Sequence, residues 1–313
     1  MLSHHDIQKM ALSCGFSVVG CAPAERVAEW RSEQWRDYLN SGRQAEMHYL
    51  EQHLEKRLNP QLLVEGAKSV VCVALNYFTL ADFPADGYTL ARYARGRDYH
   101  DVVKERLRNM LNMIVELTGD ANVGRAFCDT APVDEHYWAW RTGLGWLRRN
   151  TQLIIPQAGS YFFIVTLILT EEIDDYDNPQ PNRCGTCMRC IDACPTCALS
   201  KDTGLDARRC LSYLTIEHRG DLPVFASQAL SPCFYGCDRC QEVCPHNRFA
   251  TPTSCADFYP SAELLRMTPN DWENLDKETY QRLFKGSAVK RAKWEGLTRN
   301  IEQMVQKKLV KSQ

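Results

Sequence analysis

Apolar positions recur at helical spacing between Asp101 and Leu117, where Val102, Val103, Leu107, Met110, Leu111, Ile114 and Leu117 share one face. Gly119 follows where a helix of this kind is capped. Ser69–Leu75 is a continuous apolar run of strand length and reads as a buried strand. Residues 17–20 read as a short strand after an N-terminal helix, and Ala126–Cys128 as a strand end. A helix is predicted over Val133–Thr142. Leu153–Ile155 and Tyr161–Thr170 are predicted to pair as strands around a turn containing Gly159. The first part of the chain is therefore expected to be an α/β-layered domain.

The acidic stretch Glu171–Pro179 ends in proline and marks a boundary. Three segments are expected: a layered domain over 1–177, a cysteine-rich domain over 178–250, and a helical, basic segment over 251–313. The overall class is α+β. The longest apolar run, Tyr161 to Leu169, is about half the ~18–20 residues a membrane helix needs. The first residues lack the basic and apolar regions of a secretory signal, so a cytoplasmic protein with no membrane contact is expected.

Fifteen cysteines among 313 residues change the picture. Four lie before residue 180 and the other eleven crowd between Cys184 and Cys255. In a reducing compartment such crowding points to metal rather than disulfides. Cys184, Cys187, Cys190 and Cys194-Pro195 form C-x2-C-x2-C-x3-C-P, the bacterial ferredoxin run for 4Fe-4S clusters. Cys237, Cys240 and Cys244-Pro245 repeat its last three positions, with Phe234 where the first would stand. The crossover rule pairs Cys184, Cys187 and Cys190 with Cys244, and Cys194 with Cys237 and Cys240. On spacing, either Cys210 or Cys233 could complete the second set. Structural zinc fits less well, because zinc sites usually use isolated cysteine pairs. Cys197, Cys255 and the four early cysteines are expected to be small buried apolar residues.

Two clusters imply electron delivery, and the first domain is large enough to hold the acceptor. Gly143-Leu144-Gly145 lacks the third glycine of a dinucleotide fingerprint and follows a helix, so it is set aside. No Walker loop, HExxH motif or histidine motif for ligating cobalamin is present. Asp129 stands where a strand meets a helix start, a usual place for a site residue and equally for a turn aspartate. Arg92–His100 is a polar, aromatic segment before the long helix. Its plainer reading is a surface loop whose Asp98 contributes charge to the helix N-terminus.

Together these segments resemble the epoxyqueuosine reductase family. The resemblance runs from about Asp6 to at least Asn300. It rests on the segments 55–60, 96–100, 129–133, 143–146 and 150–161, the first cysteine run, and the segments 209–215 and 235–238. It implies a cobalamin-binding fold related to reductive dehalogenases, with no protein ligand below the corrin. The resemblance gives the missing cluster position to Cys210, leaves Cys233 free, and aligns Asp129 with the family's proton donor. It places Arg57, Asn150, Ser160, Ser212 and Thr215 on the corrin or tRNA side. The implied reaction is reduction of epoxyqueuosine in a tRNA anticodon loop by cobalamin. Two 4Fe-4S clusters would pass on electrons from an external flavodoxin- or ferredoxin-type donor, and a monomer is expected. Asp129 would then be an acid whose pKa burial raises.

Net charge is only −2. From Gln281 onward nine Lys or Arg face two Glu, leaving about −9 elsewhere. Alone this reads as a solvated helical face; beside a tRNA it reads as phosphate contacts, with Arg208, Arg209, Arg239 and Arg248 joining. Arg148-Arg149, Cys197 and Cys233 depart from the family pattern, as does the expected lack of a helical-repeat extension, which bears on tRNA grip rather than chemistry. The alternatives are a dehalogenase-like reductase of a small molecule, and a two-cluster electron carrier that binds no cobalamin.

Overall fold

The computed structural model describes residues 1–311 except 82, 85, 86 and 231, with side chains to Lys307. The side chains of Lys308 and Lys311 in the expected basic segment lie outside the described residues. In chain order the layered part runs α1 (His4–Ser13), β1 (Val18–Pro23), α2 (Glu29–Asn40) and β2 (Ser69–Asn76). It continues with α3 (Tyr99–Thr118), β3 (Gly124–Phe127), α4 (Glu135–Arg141) and β4 (Phe162–Leu169). Its sheet has the order β1-β2-β4-β3, with every neighbour antiparallel.

The pleat of β2 explains why its run is wholly apolar. Val71, Val73 and Leu75 face α1 and α3, packing with Ile7, Ala11, Val103 and Leu107. Val70, Cys72 and Ala74 face α4, packing with Tyr137, Trp138 and Ala139. Side chains alternate across a strand, so a strand covered on both faces must be apolar at every position. Full burial of each larger aliphatic side chain contributes ~1.5–3 kcal/mol. Helix α3 starts where the Asp98 carboxylate accepts the His100 N–H at 3.0 Å. It ends at Gly119, whose φ of 70° suits glycine.

The expected hairpin of Leu153–Ile155 with Tyr161–Thr170 does not form. Strand β4 lies between β2 and β3, in register from Ser69 with Leu169 to Asn76 with Phe162. One edge is paired along its whole length and the other over Thr166 to Leu169. Leu153–Ile154 pairs instead with Trp146–Leu147. Only an Ile155–Gly159 bridge closes the turn.

A second core lies between α5 (Leu211–Ile216), α6 (Lys293–Lys311) and the short helices before α6, around Trp272, Phe284, Phe234 and Tyr235. Tyr88, Leu90 and Ala94 from the first part join this core, while Cys255 and Phe258 join the sheet core. Thr89–Leu90 also pairs in parallel with Cys233–Tyr235. The chain thus crosses back over the positions expected to divide it, which closes the layered part against the cysteine-rich part. Among the described residues no helix is long and apolar enough to cross a membrane.

Candidate active site

The two cysteine runs fold alike. Each carries its second-to-last cysteine, Cys190 or Cys240, on a four-residue helix, Arg189–Asp192 or Arg239–Glu242. Each then turns at Cys-Pro. Backbone N–H groups point at the last sulfur of each run: Ala198 to Cys194 Sγ at 3.2 Å, and His246 to Cys244 Sγ at 3.4 Å. Cys194, Cys210, Cys237 and Cys240 line one wall of a single cleft. Cys244 and Cys184 lie elsewhere, packed with buried Trp146 and Ile154. Cys233 does not line the cleft, and its thiol donates to the carbonyls of Tyr235 and Gly236 at 3.2 and 3.5 Å.

The cleft encloses about 1020 Å³, at or above the ~300–1,000 Å³ of ordinary small-molecule pockets. Its lining includes a wall built on the start of α3 and the loop after β3. Asp129 sits there with φ 56°, a left-handed conformation rare for residues other than glycine but tolerated by aspartate. Such strain concentrates at functional sites. Its backbone N–H is held by Glu135 Oε1 at 2.9 Å. Its Oδ2 accepts the Tyr99 hydroxyl and lies 3.6 Å from His100 Nε2. His100 Nδ1 lies 2.8 Å from Asp98 Oδ1, so the imidazole bridges two carboxylates. The Tyr99 ring is fixed by near-parallel stacking on Phe163, with centroids 4.3 Å apart.

The charges on this wall differ from the sequence expectation. Hydrogen bonding to Asp129 and then Asp98 pushes His100 up to about 9. The His100 contact holds the Asp129 carboxyl below its ordinary range, with Tyr99 adding to the effect and burial opposing it. Burial, with the Asp129 charge added, pushes Glu135 up to about 8. Asp129 is therefore a carboxylate near neutrality. The resting protons of this wall are on His100 and Glu135, because donors facing Asp129 outweigh its burial.

Of the five expected corrin or tRNA contacts, Asn150 and Ser212 line the cleft. The other three do not. Arg57 is buried over the Trp35 ring, 4.8 Å from its centroid, and reaches the Val133 carbonyl at 3.5 Å. Ser160 is a joint: its N–H donates to Asn247 Oδ1 at 2.7 Å, and Gln241 Nε2 donates to its carbonyl at 3.1 Å. Thr215 donates to Leu211 O and accepts the Gly236 N–H at 2.9 Å, which consumes its hydroxyl. Cys197 is exposed at φ 52°, not buried as expected, because the turn after Cys194-Pro195 carries it outward. Cys14 is half-buried; Cys21, Cys72, Cys128 and Cys255 are buried. The segment 92–100 is not a bare surface loop, since Tyr93, Asp98, Tyr99 and His100 line the cleft.

Two family models match separate segments. Residues 57–130 match the model described as epoxyqueuosine reductase QueG, DUF1730, and residues 183–247 match the 4Fe-4S double cluster binding domain. An epoxyqueuosine reductase of Cellulophaga algicola is 41% identical over 303 residues, covering 96% of this chain and 97% of the relative. The chain belongs to the epoxyqueuosine reductase family. A relative in Pseudomonas aeruginosa with the same name is 36% identical, covering 92% of this chain and 80% of its own length. A crystal structure of an epoxyqueuosine reductase with an epoxyqueuosine-modified tRNA-Tyr stem loop superposes with a TM-score of 0.88. That pair shares 26% identity, over 97% of this chain and 80% of the other.

Of the groups around Asp129 and His100, the sequence pointed only to Asp98, and only as a charge at the helix start. Tyr99, His100 and Glu135 carried no role. The available signal was Asp98-Tyr99-His100 at a helix start: a cap fixes the next side chains in direction as well as the helix end.

Proposed function

We propose that this protein reduces epoxyqueuosine to queuosine in the anticodon loop of tRNA, the last step in making that base. It uses cobalamin in the cleft and electrons from two 4Fe-4S clusters. One observation carries the reading: the Asp129–His100 pair and four cysteines line a single cleft. Cys194, Cys210, Cys237 and Cys240 hold the cluster beside the cleft, and Cys184, Cys187, Cys190 and Cys244 hold the outer one. Cys210 is favoured over Cys233 because it shares the cleft with the other three, whereas the Cys233 thiol is turned to backbone carbonyls. Residues 1–177 form the cofactor-binding part, 178–250 the cluster part, and 251–313 a helical segment beside the tRNA.

The cleft is large enough for a corrin, and Asn150 and Ser212, which line it, are the residues that would hold one. Cobalamin, when bound, supplies a strongly nucleophilic low-valent cobalt for opening the epoxide. The chain's own residues manage protons. Conversion of an epoxide to an alkene consumes two electrons and two protons and releases the oxygen as water. The imidazolium of His100 is the proton store, Asp129 hands the proton to the departing oxygen, and Asp98 keeps the imidazole charged and oriented. The protonated Glu135 carboxyl fixes the Asp129 backbone. The external donor is a flavodoxin or ferredoxin type of protein, and the enzyme works as a cytoplasmic monomer.

The test is anaerobic reconstitution with iron, sulfide and cobalamin, then incubation with epoxyqueuosine-bearing tRNA and a strong reductant, read by nucleoside mass spectrometry. Loss of one oxygen from the nucleoside, dependent on cobalamin, is expected. Protein that takes up iron but no cobalamin and leaves the tRNA unchanged would be an electron carrier instead.

A further inference from the structure

Arg148 is 7% exposed, yet no carboxylate pairs with it among the described residues. One terminal nitrogen donates to the Cys240 carbonyl at 3.2 Å and the other to Ser160 Oγ at 3.4 Å. Both partners are neutral. Its backbone N–H is tied to the Gln152 carbonyl at 3.0 Å, so the side chain leaves a fixed point. A buried guanidinium without a counter-ion is costly, because desolvation of a charge is not repaid by neutral partners. Something anionic has to face it.

The residue it holds supplies the candidate. Cys240, whose carbonyl accepts from Arg148, belongs to the set beside the cleft. A cube held by four thiolates has net negative charge, and reduction adds one more. Arg149 next door does a different job: it clamps the first run, donating to the Gly185 carbonyl at 2.8 Å.

We infer that Arg148 is a counter-ion of the cluster beside the cleft, a positioning residue that makes this cluster easier to reduce and so draws electrons from the outer cluster toward the cleft. This rests on the two-cluster reading above. A fixed positive charge stabilises the reduced, more negative cube more than the oxidised one. The hydrogen bond to the Cys240 carbonyl ties that charge to the ligand loop of the cluster beside the cleft.

The experiment is an anaerobic redox titration followed by electron paramagnetic resonance, with iron and sulfide counted in each sample. Parent, Arg148→Gln and Arg148→Lys are compared. In Arg148→Gln the reduced-to-oxidised ratio of the cluster beside the cleft at fixed poise should fall about tenfold, ~59 mV for a one-electron couple, with the outer cluster moving less. Arg148→Lys should lie near the parent. Full iron content with unmoved potentials in Arg148→Gln overturns the inference and leaves the cluster reading intact. If Arg148→Gln loses iron while Arg148→Lys keeps both iron and potential, the charge is again what matters. Iron loss in both variants makes Arg148 a packing strut and overturns the inference. A parent that takes up no cluster overturns the underlying reading instead.

Discussion

Asp129 and His100 act as a pair, and the pair sets the pH behaviour. His100 is held charged by two carboxylates and pushed up to about 9. Queuosine formation should therefore be flat through neutrality and fall as pH rises through about 9, measured in single-turnover assays. The same shift acts on stability. The folded value lies above the ~6.5 of an unfolded histidine. The His100 contribution is therefore complete below ~6.5 and lost as pH rises through about 9. The Asp129 value is depressed, so its contribution is present above the ordinary carboxylate range and lost in acid. His100→Gln should abolish the alkaline limb and slow the reaction ~10²–10⁴-fold, the usual worth of positioned proton transfer. Asp129→Asn should slow it by a similar factor with iron content unchanged. A His100→Gln enzyme that keeps the parental rate and alkaline limb would remove His100 from the proton path.

Helix α4 carries Glu135 to Asp129, and what anchors α4 is a buried ion pair. Asp134 is 3% exposed and takes two hydrogen bonds from Arg31 of α2, at 2.7 and 3.0 Å. Trp35 Nε1 adds a third at 2.7 Å, and the same carboxylate caps α4 through the Tyr137 N–H. Asp134→Ala leaves the guanidinium of Arg31 facing no charge and should cost ~3–5 kcal/mol in urea unfolding. A loss below ~1 kcal/mol would mean the pair is dispensable. At this scale the sequence was legible wherever the determinant was local. Helix α3 follows from one apolar face and two caps, and the cysteine runs follow from loops short enough to bring thiolates together. What failed was non-local. Nothing near Leu153 reveals that both edges of β4 are occupied by residues some ninety and forty positions away. Spacing could not choose between Cys210 and Cys233, because the choice depends on which sulfur the fold turns into the cleft. His100 escaped notice because Asp129 meets it only after α3 and β3 have folded back.

Across the whole molecule, the excess positive charge near the C-terminus divides into spent and free cations. Arg282 pairs with Glu263 at 2.7 Å, and Arg291 grips Glu217 with two bonds of 2.8 Å. Arg299 is used internally, donating to the Leu214 and His218 carbonyls at 2.9 Å each. Arg208 is chelated by Asp206, and Arg209 reaches the Thr196 carbonyl. No ion pair engages Lys290 or Lys293 among the described residues. Lys290 lines the cleft and Lys293 begins α6 nearby in sequence. An exposed ammonium with no partner has a counterion to release, whereas an arginine already paired with glutamate has much less to give a phosphate. Lys290, which lines the cleft, and exposed Lys293 three residues on are therefore the expected phosphate contacts, rather than the basic segment at large. Replacing both with Gln should raise the KM for tRNA and leave the chemical step alone. The slope of log affinity against log salt should become shallower by about 1.4, two contacts at ~0.7 each for single-stranded nucleic acid. Arg282→Gln, which removes one charge from an existing pair, should change that slope by far less than the ~0.7 of a single contact. If the slope responds equally to all these cations, the tRNA is drawn by the net field of the region, and no discrete contacts need be assigned to Lys290 and Lys293.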